Sequence, residues 1–271
     1  MKVSIAFVVV LALVGAALAA PKKGLKFRNL YKAPLAGVKP SHSGRIINGQ
    51  VATKGQFPYQ AFLEVYSLLE GWYCGGSLIT TTAVLSAGHC GVDGLLAYIT
   101  LGAQDVTVTE SSQVNVETSD IVVNSAYDSS SITNDISIFR LSSAVTLTDY
   151  IQLATLPTSA SSTYAGETGV VSGWGITNGY ASTISSVLRY TSNPILTNTA
   201  CSEIMGTIPS TQICLSGANG HSSCSGDSGG PLTVDGVQVG IVSYGIEYCP
   251  SGYPSVFTRV TSYLEWISEN Q

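Results

Sequence analysis

An all-β fold finished by a single C-terminal helix is what this sequence predicts. From Ile46 onward, short β-prone runs alternate with Gly, Ser, Asn and Asp, and only the closing segment spaces its apolar residues as a helix does. The 271-residue length allows a core for one large domain or for two small ones sharing an interface.

Before that body come two segments of different character. Residues 3–20 are almost wholly apolar, follow Lys2 and contain Ala17-Leu18-Ala19, so 1–19 read as a secretory signal peptide cut after Ala19. An uncleaved membrane anchor is the competing reading, disfavoured by the short run and the cleavage pattern inside it. Residues 20–45 hold seven Lys/Arg, no acid and no cysteine, with Pro, Gly and no clear periodicity. They are expected to be a flexible pro-segment with no covalent tie to the rest.

Within 46–271 the strand candidates, in order, are "QAFLEVY", "SLIT", "DIVVNSAY", "DISIFRL", "TGVVSGWG" and "VLRYTSNPIL". "PLTVDGVQVGIVSYG" is the clearest hairpin, with Asp235-Gly236 as a two-residue turn. Residues 157–169 are an expected linker between two β units. In "TSYLEWISEN", Ser262 and Glu265 are spaced as a capping box and Tyr263, Trp266 and Ile267 share a face, which predicts a packing helix.

Charge narrows the partners. The segment 46–271 carries all 17 acids but only Lys54, Arg140, Arg189 and Arg259, a net charge of −13. Such a surface disfavours nucleic acid. Six cysteines (Cys74, Cys90, Cys201, Cys214, Cys224 and Cys249) in an exported chain imply up to three disulfides, with as many as fifteen connectivities open. Paired Cys-x-x-Cys and clustered histidines are missing, so no metal or other cofactor is expected, and no permitted Asn-x-Ser/Thr sequon occurs.

Chemistry enters with "SSCSGDSGGP", which sets Asp227 beside Ser228 among glycines. Such a loop can expose a nucleophile and bring backbone N–H groups to a ligand, although Gly, Ser and Asp also form ordinary turns. A base must be one of three histidines. His42 lies in the pro-segment and His221 in the approach to the serine loop, which leaves His89 in "LSAGHC". For an acid, Asp135 opens the alternating strand of "NDISIFRL", where it can be buried beside an imidazole.

The order His89, Asp135, Ser228 with "GDSGGP" resembles the chymotrypsin family of serine proteases. The likeness extends over "RIINGQ", "CGGSLI", "AGHC", "SGWG" and "VFTRV", and "CPSGYPSVFTRV" is similar to arthropod digestive and collagenolytic members. Departures are mild: Gly88 stands where alanine is usual, Tyr244 where tryptophan is, and "IING" where "IVGG" is commoner.

The resemblance implies two six-stranded antiparallel β-barrels with the site between them, and the pairs Cys74–Cys90, Cys201–Cys214 and Cys224–Cys249. His89, Asp135 and Ser228 would be catalytic, and the N–H groups of Gly226 and Ser228 would hold the oxyanion. Ser222, Ser243, Tyr244, Gly245 and Ser255 would line the substrate pocket. Cleavage at Arg45-Ile46 by a trypsin-like protease would free an amino group to pair with Asp227, making the chain a zymogen.

By the same resemblance Ser222 would form an uncharged pocket floor, which disfavours cleavage after Lys or Arg. The expectation is a monomeric, secreted endopeptidase acting on protein or peptide substrates after Tyr, Phe, Leu or Met, and a target for protein inhibitors. An elastase-like taste for smaller residues is the alternative. From a different class comes a non-catalytic homologue that only binds, a reading opposed by the complete set of three side chains and glycines.

Overall fold

The computed structural model describes residues 49–159 and 162–271. The expected signal peptide and pro-segment, with His42, Arg45 and Ile46, lie outside the described residues. In chain order the strands are β1 (Gln50–Val51), β2 (Gln60–Tyr66), β3 (Gly71–Thr80), β4 (Ala83–Ser86), β5 (Leu96–Leu101), β6 (Val114–Thr118), β7 (Asp120–Val123) and β8 (Ser137–Arg140). There follow β9 (Thr168–Gly173), β10 (Arg189–Leu196), β11 (Gln212–Leu215), β12 (Pro231–Val234), β13 (Val237–Tyr244) and β14 (Ser255–Arg259). Helices are short: α1 (Gly88–Gly91), α2 (Asn198–Met205) and α3 (Leu264–Asn270).

These strands form two antiparallel, barrel-like sheets. The first runs β6-β5-β2-β3-β4-β8-β7, and its two edges are successive stretches of chain parted only by Ser119. In the second, β10-β11-β14-β13-β12-β9, an added β9–β10 pairing closes the ring at six strands, with β1 appended to β10. This is the two-barrel, all-β architecture with a C-terminal helix that the sequence led us to expect.

Alternation in β2 has a double use, since both of its faces are covered. Ala61, Leu63 and Val65 enter the first core, while Phe62 turns the other way to meet Trp174 edge-on at 5.5 Å. Each fully buried side chain of this size contributes about 1.5–3 kcal/mol. The barrels also meet through Ser172, whose Oγ donates to Gln60 Oε1 at 2.6 Å. Helix α3 and its cap return to the first core through Ile267 and Tyr263, and Arg140 Nε donates to the Asn270 carbonyl at 2.9 Å.

Local readings held where the signal was local. The Asp235-Gly236 hairpin turn is present, with φ of +47° and +80° at its two residues. The capping box is not. Residues 260–262 wind as a 3₁₀ turn straight into α3, and Tyr263 occupies the cap without a side-chain bond. "SLIT" is only the end of the ten-residue β3, and β4, β5, β6, β11 and α2 are additions to the elements expected from sequence. Among the described residues no helix is long and apolar enough to cross a membrane.

Candidate active site

Antiparallel pairing of β4 with β8 sets Ser86 opposite Ser137, which brings the turn after β4 against the loop before β8. That register joins His89 and Asp135, 46 residues apart. The His89 backbone N–H donates to Asp135 Oδ1 and its ring Nδ1–H to Oδ2, both at 2.8 Å. Ser243 Oγ adds a third bond, to Oδ2 at 2.5 Å, and Thr258 Oγ1 donates to the Asp135 carbonyl at 2.6 Å. Asp135 is 1% exposed. The imidazole is thereby held in one tautomer and orientation, its Nε2 buried and without a hydrogen-bond partner among the described residues.

Ser228 lies in the loop before β12, clasped from both barrels. Its carbonyl accepts from Gly75 N at 2.7 Å, and Gly229 N donates to Val242 O at 2.8 Å. Cys74–Cys90 is a disulfide, and Cys90 Sγ lies 3.5 Å from the Ser228 carbonyl oxygen, so the bridge that braces the His89 turn also abuts the serine. Gly229 has φ +82°, and a Cβ there would sit 2.1 Å from Ser86 Oγ, so no other residue fits. Gly226 has φ +94°. The N–H groups of Gly226 and Ser228 make no hydrogen bond among the described residues, which leaves two donors open beside the hydroxyl.

Asp227 points the other way, into the second barrel. It is fully buried and accepts from Gly175 N at 2.7 Å and Cys224 N at 2.9 Å. Burial outweighs those bonds and pushes its carboxyl up to about 7. No cation among the described residues pairs with it.

Next to this loop, the Cys224–Cys249 disulfide gathers Ser222, Gly245 and Ser255 around one pocket, with Ile246 and Tyr253 as walls not foreseen from sequence. It is nearly filled, at about 10 Å³, room for roughly one water. Ser255 Oγ accepts from Ser223 N at 3.2 Å, and the Ser222 and Ser223 hydroxyls are buried without a partner among the described residues. Two further residues of the expected lining turn their side chains to other partners. Ser243 lies beside His89 and bonds Asp135, and the Tyr244 ring turns inward to Cys201, Cys214 and Val256, its hydroxyl donating to Gln212 Oε1 at 3.0 Å. Alternation along β13 sends these neighbours to opposite faces, and Thr258, the penultimate residue of β14, gives no sequence signal of its part here.

His221, set aside as a base, is bonded through Nδ1 to Thr191 Oγ1. Cys201–Cys214 completes the three bridges, all as the resemblance implied, and no described cysteine is free. Three disulfides fit an oxidising, extracellular compartment.

Two facing β-barrels with an aspartate–histidine pair and a glycine-framed serine at their junction define a class, the serine endopeptidases. Comparison with known proteins agrees. The Trypsin family model matches residues 46–267. Chymotrypsin of Phaedon cochleariae is 45% identical over 96% of this chain and 95% of the relative, and Brachyurin of Leptuca pugilator is 39% identical over 82% and 96%. A solved structure of HL collagenase superposes with a TM-score of 0.76 at 34% identity, over 83% of this chain and 97% of that one. The chain belongs to the trypsin family of serine proteases, and it is a hydrolase that acts on protein substrates.

Proposed function

We propose that this is a secreted protease made as a zymogen, with His89, Asp135 and Ser228 as its triad. The observation that carries the reading is the buried Asp135, which takes two bonds from His89 and leaves Nε2 as the imidazole's one free nitrogen. A serine hydroxyl is a weak nucleophile at neutral pH, so Nε2 takes its proton during attack on the carbonyl and returns it to the leaving amine. Asp135 fixes the tautomer and stabilises the imidazolium. The open N–H groups of Gly226 and Ser228 receive the oxyanion of the tetrahedral intermediate. Water then repeats the sequence on the acyl-enzyme.

Cleavage after Arg45 activates the chain by supplying the Ile46 ammonium to Asp227, a buried carboxyl with no cation beside it among the described residues. Residues 1–19 act as the signal and 20–45 as the pro-segment, the barrels are joined near 157–169, and the gut lumen is the site of action. Labelling by a fluorophosphonate probe after trypsin treatment, absent in Ser228→Ala and in the uncut chain, tests both the triad and activation. A merely binding homologue would not label.

For specificity we keep cleavage after Tyr, Phe, Leu or Met, supported by the neutral Ser222 floor and by likeness to a protein named Chymotrypsin. A second reading, preference for smaller residues, is favoured by the nearly filled pocket and by Ser255 on its wall. Peptides differing only at the residue before the cut decide between them. Ser255→Gly should raise turnover after Phe and Tyr relative to Ala and Val.

A further inference from the structure

Away from the serine, on the second barrel, a cavity of about 630 Å³ is walled by Thr197, Asn198, Ser210, Arg259, Thr261 and Ala165. It shares no residue with the site described above. Arg259 is one of only four basic residues in 46–271, and it is 8% exposed. Four of its five N–H donors are spent on neutral oxygens. Nε donates to Ser210 O at 2.9 Å, Nη1 to Thr163 O at 3.1 Å, and Nη2 to Asn198 Oδ1 and Gln212 O, both at 3.0 Å. Carbonyl and amide oxygens satisfy hydrogen bonds but leave the positive charge unneutralised, and buried charges are ordinarily paired. Among the described residues no acid side chain forms an ion pair with Arg259.

The start of α2 opens on the same cavity. Thr197 Oγ1 caps the helix by accepting from Ala200 N at 3.1 Å, and the first turn holds no acid. The positive end of a helix dipole and an uncompensated guanidinium thus share one space edged with hydroxyls. We propose that this cavity binds a tetrahedral oxyanion, sulfate or phosphate, free or as an ester on a sugar. Arg259 supplies the charge and its remaining Nη1 hydrogen, while Ser210 and Thr261 supply hydroxyl donors. The volume exceeds that of a lone ion, which leaves room for the group that carries an ester.

Thermal melting of the full chain tests this, with sodium sulfate, sodium phosphate or a sulfated disaccharide replacing sodium chloride at constant ionic strength. A saturable rise is expected, about 3–5 °C at ten times the half-saturating concentration. Ala165→Glu, at an exposed wall position, places a carboxylate in the chain itself and should abolish the response while the protein still folds. Arg259→Met should abolish it too, and if that variant fails to fold, Ala165→Glu carries the test. Response to the inorganic ions would identify the free ion as ligand, and response to the disaccharide alone would identify the ester. No response to any probe, or an equal one in Ala165→Glu, would overturn the proposal.

Discussion

At the scale of single residues, each carboxylate of the site is defined by what surrounds it. Asp135 is ringed by donors, two from His89 and one from Ser243. Asp135→Asn would offer Nδ1 an amide and release the wrong tautomer. We expect a fall in kcat on the order of 10⁴-fold with KM little changed, the scale of the same substitution in the chymotrypsin-family triad. Ser243→Ala removes one bond to a charged acceptor and should cost roughly tenfold in kcat. Asp227 is the opposite case, a buried carboxyl raised from 3.8 to about 7. Between those values the folded, uncut chain holds a proton that the unfolded chain has lost. Stability therefore falls as pH rises through this window. Melting of the uncut chain followed from about pH 4 to pH 8 should show that decline. It should vanish in Asp227→Asn.

At the scale of elements, the serine loop works because its backbone takes angles few residues allow. Gly226, at φ +94°, would place a Cβ 2.9 Å from Ile184 Cγ2. Gly226→Ala should therefore turn its N–H out of the oxyanion position, with kcat falling on the order of 10²–10³-fold while circular dichroism stays unchanged. The Cys224–Cys249 bridge closes a sequence separation of 25 residues around the same loop. Replacing both cysteines by serine should cost about 3 kcal/mol in denaturant unfolding and loosen the pocket wall. Elements were legible in the sequence where a turn or an alternation was self-contained, as in the β12–β13 hairpin. They were illegible where a neighbour decided the ends, as at α3, whose start is set by packing of Tyr263 on the first core rather than by Ser262.

For the whole molecule, the charge split acquires a structural meaning. Of the four basic residues in 46–271, Arg189 and Arg259 are buried at 9% and 8% exposure, and Arg140 lies within β8. Lys54 alone sits in an open turn, paired with Glu110 at 3.2 Å. In excess trypsin the body should thus be nicked first, and almost solely, after Lys54, whereas 20–45 are cut throughout. Mass mapping of timed digests checks this, and early cleavage at Arg189 or Arg259 would count against a trypsin-resistant design. The bland account, that acidity only aids solubility, predicts no such order.

What the sequence determined by itself was chemistry and local form. The glycine-framed serine, the strand alternations and the Asp235-Gly236 turn all follow from residues within a few positions of one another. Tertiary structure decided the rest. It set Asp135 against His89, closed the three disulfides, turned Tyr244 inward and Ser243 toward Asp135, and left Arg259 buried without a counter-ion among the described residues. The physical reason is separation. Cys90 meets Ser228 across 138 residues and Thr258 meets Asp135 across 123. Such contacts exist only once each barrel has formed and the two have docked, and no periodicity in the chain encodes them.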